Sequence, residues 1–170
     1  GDLTSGSQGT LKIYFIDVDQ GDSTLIVTPE GRSLLVDIGD DGKIGAVKAA
    51  IAHAGLTSID FFVVTHYHGD HYGGIDKLGL APGAILITDT IYDRNSEAHL
   101  RPGRLSTDDY QEYEATVGTM RRYLRPGREI PIGGGVTIEC VIVNGRLKGE
   151  YGPITYPVDE NGYSVGLVLN

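Results

Sequence analysis

The sequence predicts an α/β layered domain, and three observations carry that prediction. Short runs rich in β-branched and aromatic residues recur along the 170-residue chain, and two segments with helical periodicity lie between them. Hydrophobic residues make up 40% of the sequence and charged residues 22%, as in ordinary globular domains. This length suits one domain with a sizeable core. The sequence has no apolar run long enough to span a membrane.

The chain opens with three predicted strands and one predicted helix. The strands lie at 11–18, 23–28 and 33–38, and the turn sequences DQGD and PEGR between them predict an antiparallel meander. The helix is predicted at 43–54, where apolar residues recur on one face. Gly55 follows it as a candidate C-cap.

The middle and the end of the chain continue this alternation. The apolar run at 59–64 is typical of a buried central strand, and a further strand is predicted at 84–89. A second helix is predicted at 107–124, with acidic residues near its start and Arg121 and Arg122 near its end, as the helix dipole favours. Two strands around the glycine turn of IPIGGGVTIECVIVN and a last strand in YSVGLVLN complete the predicted order.

The first ten and the last eight residues lead to two further predictions. The small, polar residues 1–10 predict a flexible leader in front of a domain at 11–170. The sequence stops inside an apolar strand pattern, so we expect a longer protein to continue beyond Asn170.

Composition limits the function classes. The formal net charge of −9 gives the chain no overall attraction for nucleic acid, which counts against a nuclease without excluding a small phosphodiester site. The single cysteine, Cys140, lies in a strand-like setting and is expected to be a small buried hydrophobe.

Three of the five histidines are concentrated in the stretch THYHGDHYGG. His66 and His68 are two residues apart at the end of an extended run, so both imidazoles point to the same side. Gly69 lets the backbone turn, and the turn presents Asp70 and His71 to the same space from a second direction. Two pairs of ligands facing a common space predict two metal ions.

The residue types in this stretch indicate the chemistry. Neutral imidazole and carboxylate are ligands for zinc, and also for manganese or iron. A bound ion lowers the pKa of its water toward ~7, so hydroxide can attack a substrate without a Ser or Cys nucleophile. Asp70 is therefore a candidate catalytic residue as well as a metal ligand. His53, near a helix end, and His99, in a polar loop, are interpreted as surface residues.

The motif T-H-x-H-x-D-H-x-G-G at residues 65–74 resembles the signature of the metallo-β-lactamase fold superfamily. The opening FIDVDQGDSTLIVTPEGRSLLVDIG is similar to the start of the branch that includes the hydrolase domain of ComEC-type competence proteins. Asp19 stands where that branch typically has glycine. ENGYSVGLVLN is similar to the strand before the branch's next metal motif. The resemblance implies an αββα sandwich with a dinuclear site at one edge.

The resemblance also implies roles for single residues. His66 and His68 would serve the first metal, and Asp70 and His71 the second. Asp37, in VDIG, matches an aspartate that supports the site.

Three points stay open beside those roles. The sequence alone fits Asp37 equally well as a turn residue, and Asp22, in QGD, is a weaker candidate for the site. The family completes its site with a bridging aspartate in a GD motif and a later histidine, and neither follows in this sequence. We therefore expect an incomplete sandwich whose missing ligands lie downstream or on another chain.

Two functions from different classes remain. The first is a metal-dependent hydrolase, with phosphodiesters, including nucleic acid, as the favoured substrates of the intact protein; lactams, lactones and thioesters suit the motif equally. The second is a catalytically incomplete fragment or assembly module with partial or no metal. An open sheet edge would favour self-association or a complementing chain. The branch and the leader favour an exported protein, periplasmic or extracellular.

Overall fold

The computed structural model describes residues 9–77, 85–94, 107–151 and 159–170 of the chain. Its first sheet has six strands in spatial order β1 to β6: Lys12–Phe15, Thr24–Val27, Ser33–Val36, Ile59–Val63, Ile87–Asp93 and Arg121–Tyr123. The pairs β1–β2 and β2–β3 are antiparallel, which confirms the predicted meander. The pairs from β3 to β6 are parallel, so the ends of β3 and β4 meet at one edge of the sheet.

The second sheet is antiparallel and is formed by the later part of the chain. Its strands are β7 (Glu129–Gly133), β8 (Val136–Val143), β9 (Arg146–Leu147) and β10 (Gly166–Leu169). β8 lies between β7 and β10, and β9 also pairs with β8. The turn between β7 and β8 consists of glycines with positive φ, as the sequence predicted.

Helices lie between the strands of the first sheet. They are α1 (Ile44–His53), the single turn α2 (Gly69–Tyr72) and α3 (Thr107–Val117). Short 3-10 helices lie at Asp41–Lys43, Ile75–Lys77, Gly118–Met120 and Asn161–Tyr163. Gly55 follows α1 with a φ of 77°, which fits the predicted C-cap.

Two hydrophobic cores cover the two faces of the first sheet. One face packs Leu25, Leu35 and Phe62 against side chains from α1 and α3. The opposite face packs against the second sheet, whose core includes Ile138 and the buried Cys140. The described residues therefore form a helical layer and two sheets, which confirms the predicted α/β class with its stacked sheets. Among the described residues, none from α1, α2 or α3 belongs to the core between the two sheets.

Two predicted elements have different bounds in the structure. The helix predicted to reach residue 124 ends at Val117, because Gly118 adopts a φ of 48° and Arg121–Tyr123 joins the sheet beside β5. The strand predicted at 84–89 is shifted to Ile87–Asp93, where its later residues pair with the buried β4. Residues 1–8 of the predicted leader and His99 lie outside the described residues. None of the described helices is long and apolar enough to cross a membrane.

Candidate metal centre

The histidine motif begins where β4 ends. His68 keeps an extended backbone with φ −94° and ψ 145°, and α2 begins at the next residue, Gly69. The predicted change from extended chain to turn is therefore confirmed. His66 is only 4% exposed, with the rings of His68 and His71 packed beside it. We call residues 65–74 the histidine loop.

His66 and His68 converge within this loop. The distance between His66 Nε2 and His68 Nδ1 is 3.2 Å. Two nitrogens bound to one tetrahedral zinc ion at Zn–N distances of ~2.0–2.1 Å would lie about 3.3 Å apart. The two imidazoles therefore already have the spacing that one shared ion requires.

Asp70 and His71 form a second pair beside the first. Asp70 Oδ1 lies 3.9 Å from His71 Nε2, which is wider than a tetrahedral spacing but within the about 4.1 Å that two bonds to one ion can span. The ring centroids of His66 and His71 are 4.0 Å apart, so the pairs are neighbours. Among the described residues no three His, Cys, Asp or Glu side chains are arranged to hold an ion. The His66–His68 pair fits a metal as a half-site, whereas Asp70 and His71 would have to approach each other by about 0.6 Å to reach tetrahedral spacing, and both pairs require further ligands.

Asp37 links the end of β3 to the histidine loop. Its Oδ2 lies 2.7 Å from His71 Nδ1 and accepts a hydrogen bond of 2.6 Å from the Thr65 hydroxyl. Its Oδ1 accepts the Thr65 amide at 2.8 Å. If Nδ1 of His71 carries the proton and donates to Asp37, then Nε2 is left as the metal-binding nitrogen.

The sequence left open whether Asp37 is a turn residue or a support of the site. Its φ is 55°, so it is a turn residue in the left-handed region, which aspartate tolerates better than most residues. Its side chain is 1% exposed and supports the histidine loop. The turn conformation and the support of the loop therefore belong to the same residue.

Burial and neighbouring charges shift the pKa values of this cluster. Burial, together with the charges of the adjacent His71 and His68, lowers the pKa of His66 from 6.5 to about 4. Burial also opposes protonation of His71, but the hydrogen bond and charge of Asp37 outweigh it and raise the pKa of His71. Burial raises the pKa of Asp37 against its hydrogen bonds from His71 and Thr65. His66 is thus neutral at pH 7, the form that binds a metal.

The turn after β1 closes against the histidine loop. A Cβ on Gly21 would lie 1.8 Å from the backbone oxygen of Asp70, so only glycine fits there. Gln20 Nε2 donates to Asp70 Oδ2 at 3.1 Å. Asp22 is exposed and lines the same cleft as His66 and His71, so the structure brings this weaker candidate to the site.

A buried ion pair fixes the other side of the loop, and sequence reasoning missed it. Arg94 and Glu160 are 1% and 5% exposed and form two hydrogen bonds of 2.9 and 2.7 Å. Glu160 Oε1 also accepts the Tyr67 amide at 2.9 Å, between the two histidines of the first pair. The Arg94 guanidinium lies 4.5 Å from the Tyr67 ring centroid. No local pattern marks this pair, because its partners are 66 residues apart.

A cluster of tyrosines and Arg121 forms hydrogen bonds and packing contacts with the histidine loop. Tyr67 and Tyr72 are buried. The Arg121 Nη2 donates to the Tyr67 and Tyr110 hydroxyls, both at 3.0 Å, and its Nε contacts the fully buried Asp93. The loop therefore rests on a hydrogen-bonded polar network and not on apolar packing alone.

Two clefts open beside the histidine loop. One has a volume of about 680 Å³ and is lined by His68, Asp70 and Lys43, among others. The other has a volume of about 440 Å³ and includes Asp22 and His66 in its lining. The clefts give access to both ligand pairs.

The remaining candidates of the sequence lie away from the loop. His53 is exposed on α1, with its ring 6.0 Å from that of Tyr14. Cys140 is buried between the sheets, and burial raises the pKa of its thiol to about 11. A protonated, buried thiol is neither a nucleophile nor a ligand at neutral pH.

Comparison with known proteins agrees with this geometry. The family model of the Metallo-beta-lactamase superfamily matches residues 16–156. The Beta-lactamase-like protein 2 homolog of Caenorhabditis elegans is 36% identical over 135 residues, which cover 78% of this chain and 39% of the worm protein. Ribonuclease Z of Alkaliphilus oremlandii is 41% identical over 56 residues, 33% of this chain and 17% of that enzyme.

The similarity extends to solved structures. MEM-A1, a subclass B3 metallo-beta-lactamase from a soil metagenome library, matches with a TM-score of 0.57 and 22% identity over 96% of this chain and 60% of its own. At this identity the match shows the fold alone. Members of the superfamily are hydrolases and generally bind metal ions, often zinc. From its family match and its fold, the chain belongs to the metallo-beta-lactamase superfamily.

Proposed function

We propose that this chain carries the metal-binding histidine loop of a metal-dependent phosphodiesterase. The observation that carries the proposal is the convergence of His66 Nε2 and His68 Nδ1 at 3.2 Å, beside His71 held by Asp37. His66 and His68 would hold one ion, and Asp70 and His71 a second. When bound, the ions supply Lewis-acid activation of water.

The chain's own residues supply orientation and a neutral ligand state. Asp37 holds His71 through Nδ1, and burial keeps His66 neutral. The Arg94–Glu160 pair fixes the backbone between His66 and His68 through the Tyr67 amide. We propose that the ligands needed beyond the two pairs come from outside the described residues.

Three considerations support a phosphodiester as the substrate. The opening stretch resembles the ComEC-type branch, and one relative is a ribonuclease Z. Two adjacent ligand pairs suit an in-line displacement at phosphorus, where both the attacking and the leaving oxygen require stabilisation. Zinc, manganese and iron all suit this ligand set.

The charge of the clefts favours a compact diester over a long polynucleotide. Lys43 is the one lysine or arginine among the residues that line the two described clefts, whereas aspartates line both. Lys43 is paired with Asp19. Binding of a long polynucleotide draws on several Lys or Arg contacts to phosphates, and these clefts do not supply them.

The test compares substrate classes on the metal-loaded protein. Zn²⁺- or Mn²⁺-loaded protein is expected to hydrolyse bis(p-nitrophenyl) phosphate faster than a chromogenic lactam or lactone. His66→Ala should abolish that activity, and His53→Ala, the exposed histidine control, should leave it unchanged. Hydrolysis of the lactam or lactone without cleavage of the diester would overturn the phosphodiesterase proposal.

A second function is favoured by the incomplete ligand sets. The described residues contain ligand pairs but no set of three. The chain alone would then be an assembly module that binds at most one ion weakly and turns nothing over. Elemental analysis distinguishes the two: two ions per isolated chain contradict the module, and zero or one ion without hydrolysis of any substrate supports it.

A further inference from the structure

Asn161 lies where the two clefts meet. It lines both of them, next to His68 and Asp70 in one and next to His66 and His71 in the other. Its Oδ1 lies 3.0 Å from His68 Nδ1, although the two residues are 93 positions apart in the chain. The sequence motif assigned no role to this residue.

The backbone of Asn161 is held firmly on the histidine loop. Glu160, the preceding residue, is buried in the Arg94 ion pair and accepts the Tyr67 amide. The backbone oxygen of Asn161 accepts the Ser164 hydroxyl at 2.6 Å and the Ser164 amide at 3.1 Å. Slightly further on, the Val165 amide donates to the Thr65 oxygen at 2.9 Å. The side chain of Asn161 therefore projects from a fixed point and is not needed to hold the segment.

The amide of Asn161 has an unused hydrogen-bonding capacity. Its oxygen is paired with His68, whereas its Nδ2 donates to no acceptor within the described part of the chain. An ion held by His66 Nε2 and His68 Nδ1 would occupy the lone pair of that second nitrogen. The amide would then lose its histidine partner, and its two N–H donors would stand at the junction of the clefts.

Two neighbouring polar side chains fit this role less well. Gln20 Nε2 already donates to Asp70 Oδ2. Lys43 is already paired with Asp19 and lines one cleft only. Asn161 alone among these three lines both clefts of the described structure.

We infer that Asn161 is a substrate-binding residue whose side-chain amide donates a hydrogen bond to a non-bridging phosphoryl oxygen. The inference rests on the proposed phosphodiesterase function and adds to it a residue outside the histidine loop. A neutral amide suits this place, because it binds an anionic oxygen without competing with the metals as a carboxylate would.

The experiment separates metal binding from anion binding. Zinc affinity and the affinity of the zinc-loaded protein for inorganic phosphate are measured by titration for wild type, Asn161→Ala and Asn161→Asp. Asn170→Ala is the matched control, because Asn170 is exposed and, within the described residues, forms hydrogen bonds through its backbone only. Asn161→Ala should keep the wild-type zinc affinity and bind phosphate about ten- to a hundredfold more weakly, the effect of one hydrogen bond to a charged group.

Each of the other outcomes either supports or overturns the role of Asn161. Asn161→Asp should bind phosphate still more weakly than Asn161→Ala, because its carboxylate repels the anion. If Asn161→Ala binds phosphate like the Asn170→Ala control, the inference is wrong. The inference also fails if Asn161→Ala loses zinc affinity to the same extent as His68→Ala, because the residue then positions the metal.

Kinetics separate this inference from the proposed function. A zinc-loaded wild type that binds phosphate through Asn161 but does not cleave bis(p-nitrophenyl) phosphate overturns the phosphodiesterase and leaves the binding residue supported. A wild type and an Asn161→Ala variant that cleave the diester with equal KM and kcat overturn only the role of Asn161.

Discussion

His71 Nδ1 lies 2.7 Å from Asp37 Oδ2, and this contact joins the end of β3 to the histidine loop. The same carboxylate accepts two hydrogen bonds from Thr65, so one buried side chain supports the loop at two points. The orientation of His71 thus depends on a residue 34 positions earlier in the chain.

Replacing Asp37 by Asn should weaken metal binding. Asn tolerates the left-handed backbone, but one of its two side-chain atoms is a donor and must face a donor of Thr65 or His71. We expect zinc affinity to fall about 10- to 100-fold, as for other residues that orient a ligand histidine. Competition with a chromogenic chelator measures it. Asp89→Asn, at an exposed carboxylate on β5, is the control and should bind zinc like the wild type; an equal affinity for Asp37→Asn contradicts the role of Asp37.

Gly21 should be intolerant of any side chain. Gly21→Ala places a Cβ 1.8 Å from the Asp70 backbone oxygen, so either the turn or the histidine loop must move. Gly31→Ala is the matched control, because Gly31 has a similar φ of 83° but open space around it. Both variants carry the backbone strain of about 1–3 kcal/mol, and Gly21→Ala should lose more stability and zinc affinity. Equal urea midpoints for the two variants would show that the close approach is unimportant.

The buried pair of Arg94 and Glu160 should show strong coupling. Removal of either partner leaves a buried charge, so each single alanine variant should lose about 3–5 kcal/mol in the free energy of unfolding. The double variant should lose much less than the sum of the two. The exposed pair Arg32–Asp89 is the control, with an expected coupling below about 1 kcal/mol. If the losses in the free energy of unfolding at Arg94 and Glu160 are additive, the pair does not hold the histidine loop as one unit.

His66 should make the metal-free chain less stable in mild acid. Its pKa is about 4 in the folded chain and 6.5 in the unfolded chain, so between these values the unfolded chain binds the extra proton. Stability from this group is therefore lost as pH falls from 6.5 to 4. Urea unfolding at pH 7 and pH 5 should show a larger loss for wild type than for His66→Ala. A loss of the same size in both proteins would mean that His66 does not titrate in this way.

The opening meander and the histidine loop could be read from the sequence because their signals are local. The meander follows from strand runs separated by turn residues, and the ligand pairs follow from i, i+2 spacing and the glycine at 69. Asp37 could be placed near the site only through the resemblance, since its own surroundings also fit a turn. Asp37 can be both a turn residue and a support of the histidine loop because β3 pairs with β4, and this pairing depends on the fold.

The remaining features depend on contacts between distant segments. Local charge predicts Arg121 at a helix end, whereas its guanidinium binds Asp93 and the Tyr67 hydroxyl and its backbone joins β6. Glu160 and Arg94 lie beside other charged residues in polar stretches, and only the folded chain brings the two together. Asn161 reaches His68 for the same reason, because Glu160 holds its segment against the loop.

The central claim is that the histidine loop binds metal, and zinc affinity measured by chelator competition tests it most directly. Wild type should bind zinc, and His66→Ala and His68→Ala should each lose more than about a hundredfold in affinity. Removal of a metal ligand is expected to lower the affinity more than removal of a residue that orients a ligand. His53→Ala should match wild type. If His66→Ala and His68→Ala bind zinc as tightly as wild type and His53→Ala, the loop is not the metal site and the account is wrong.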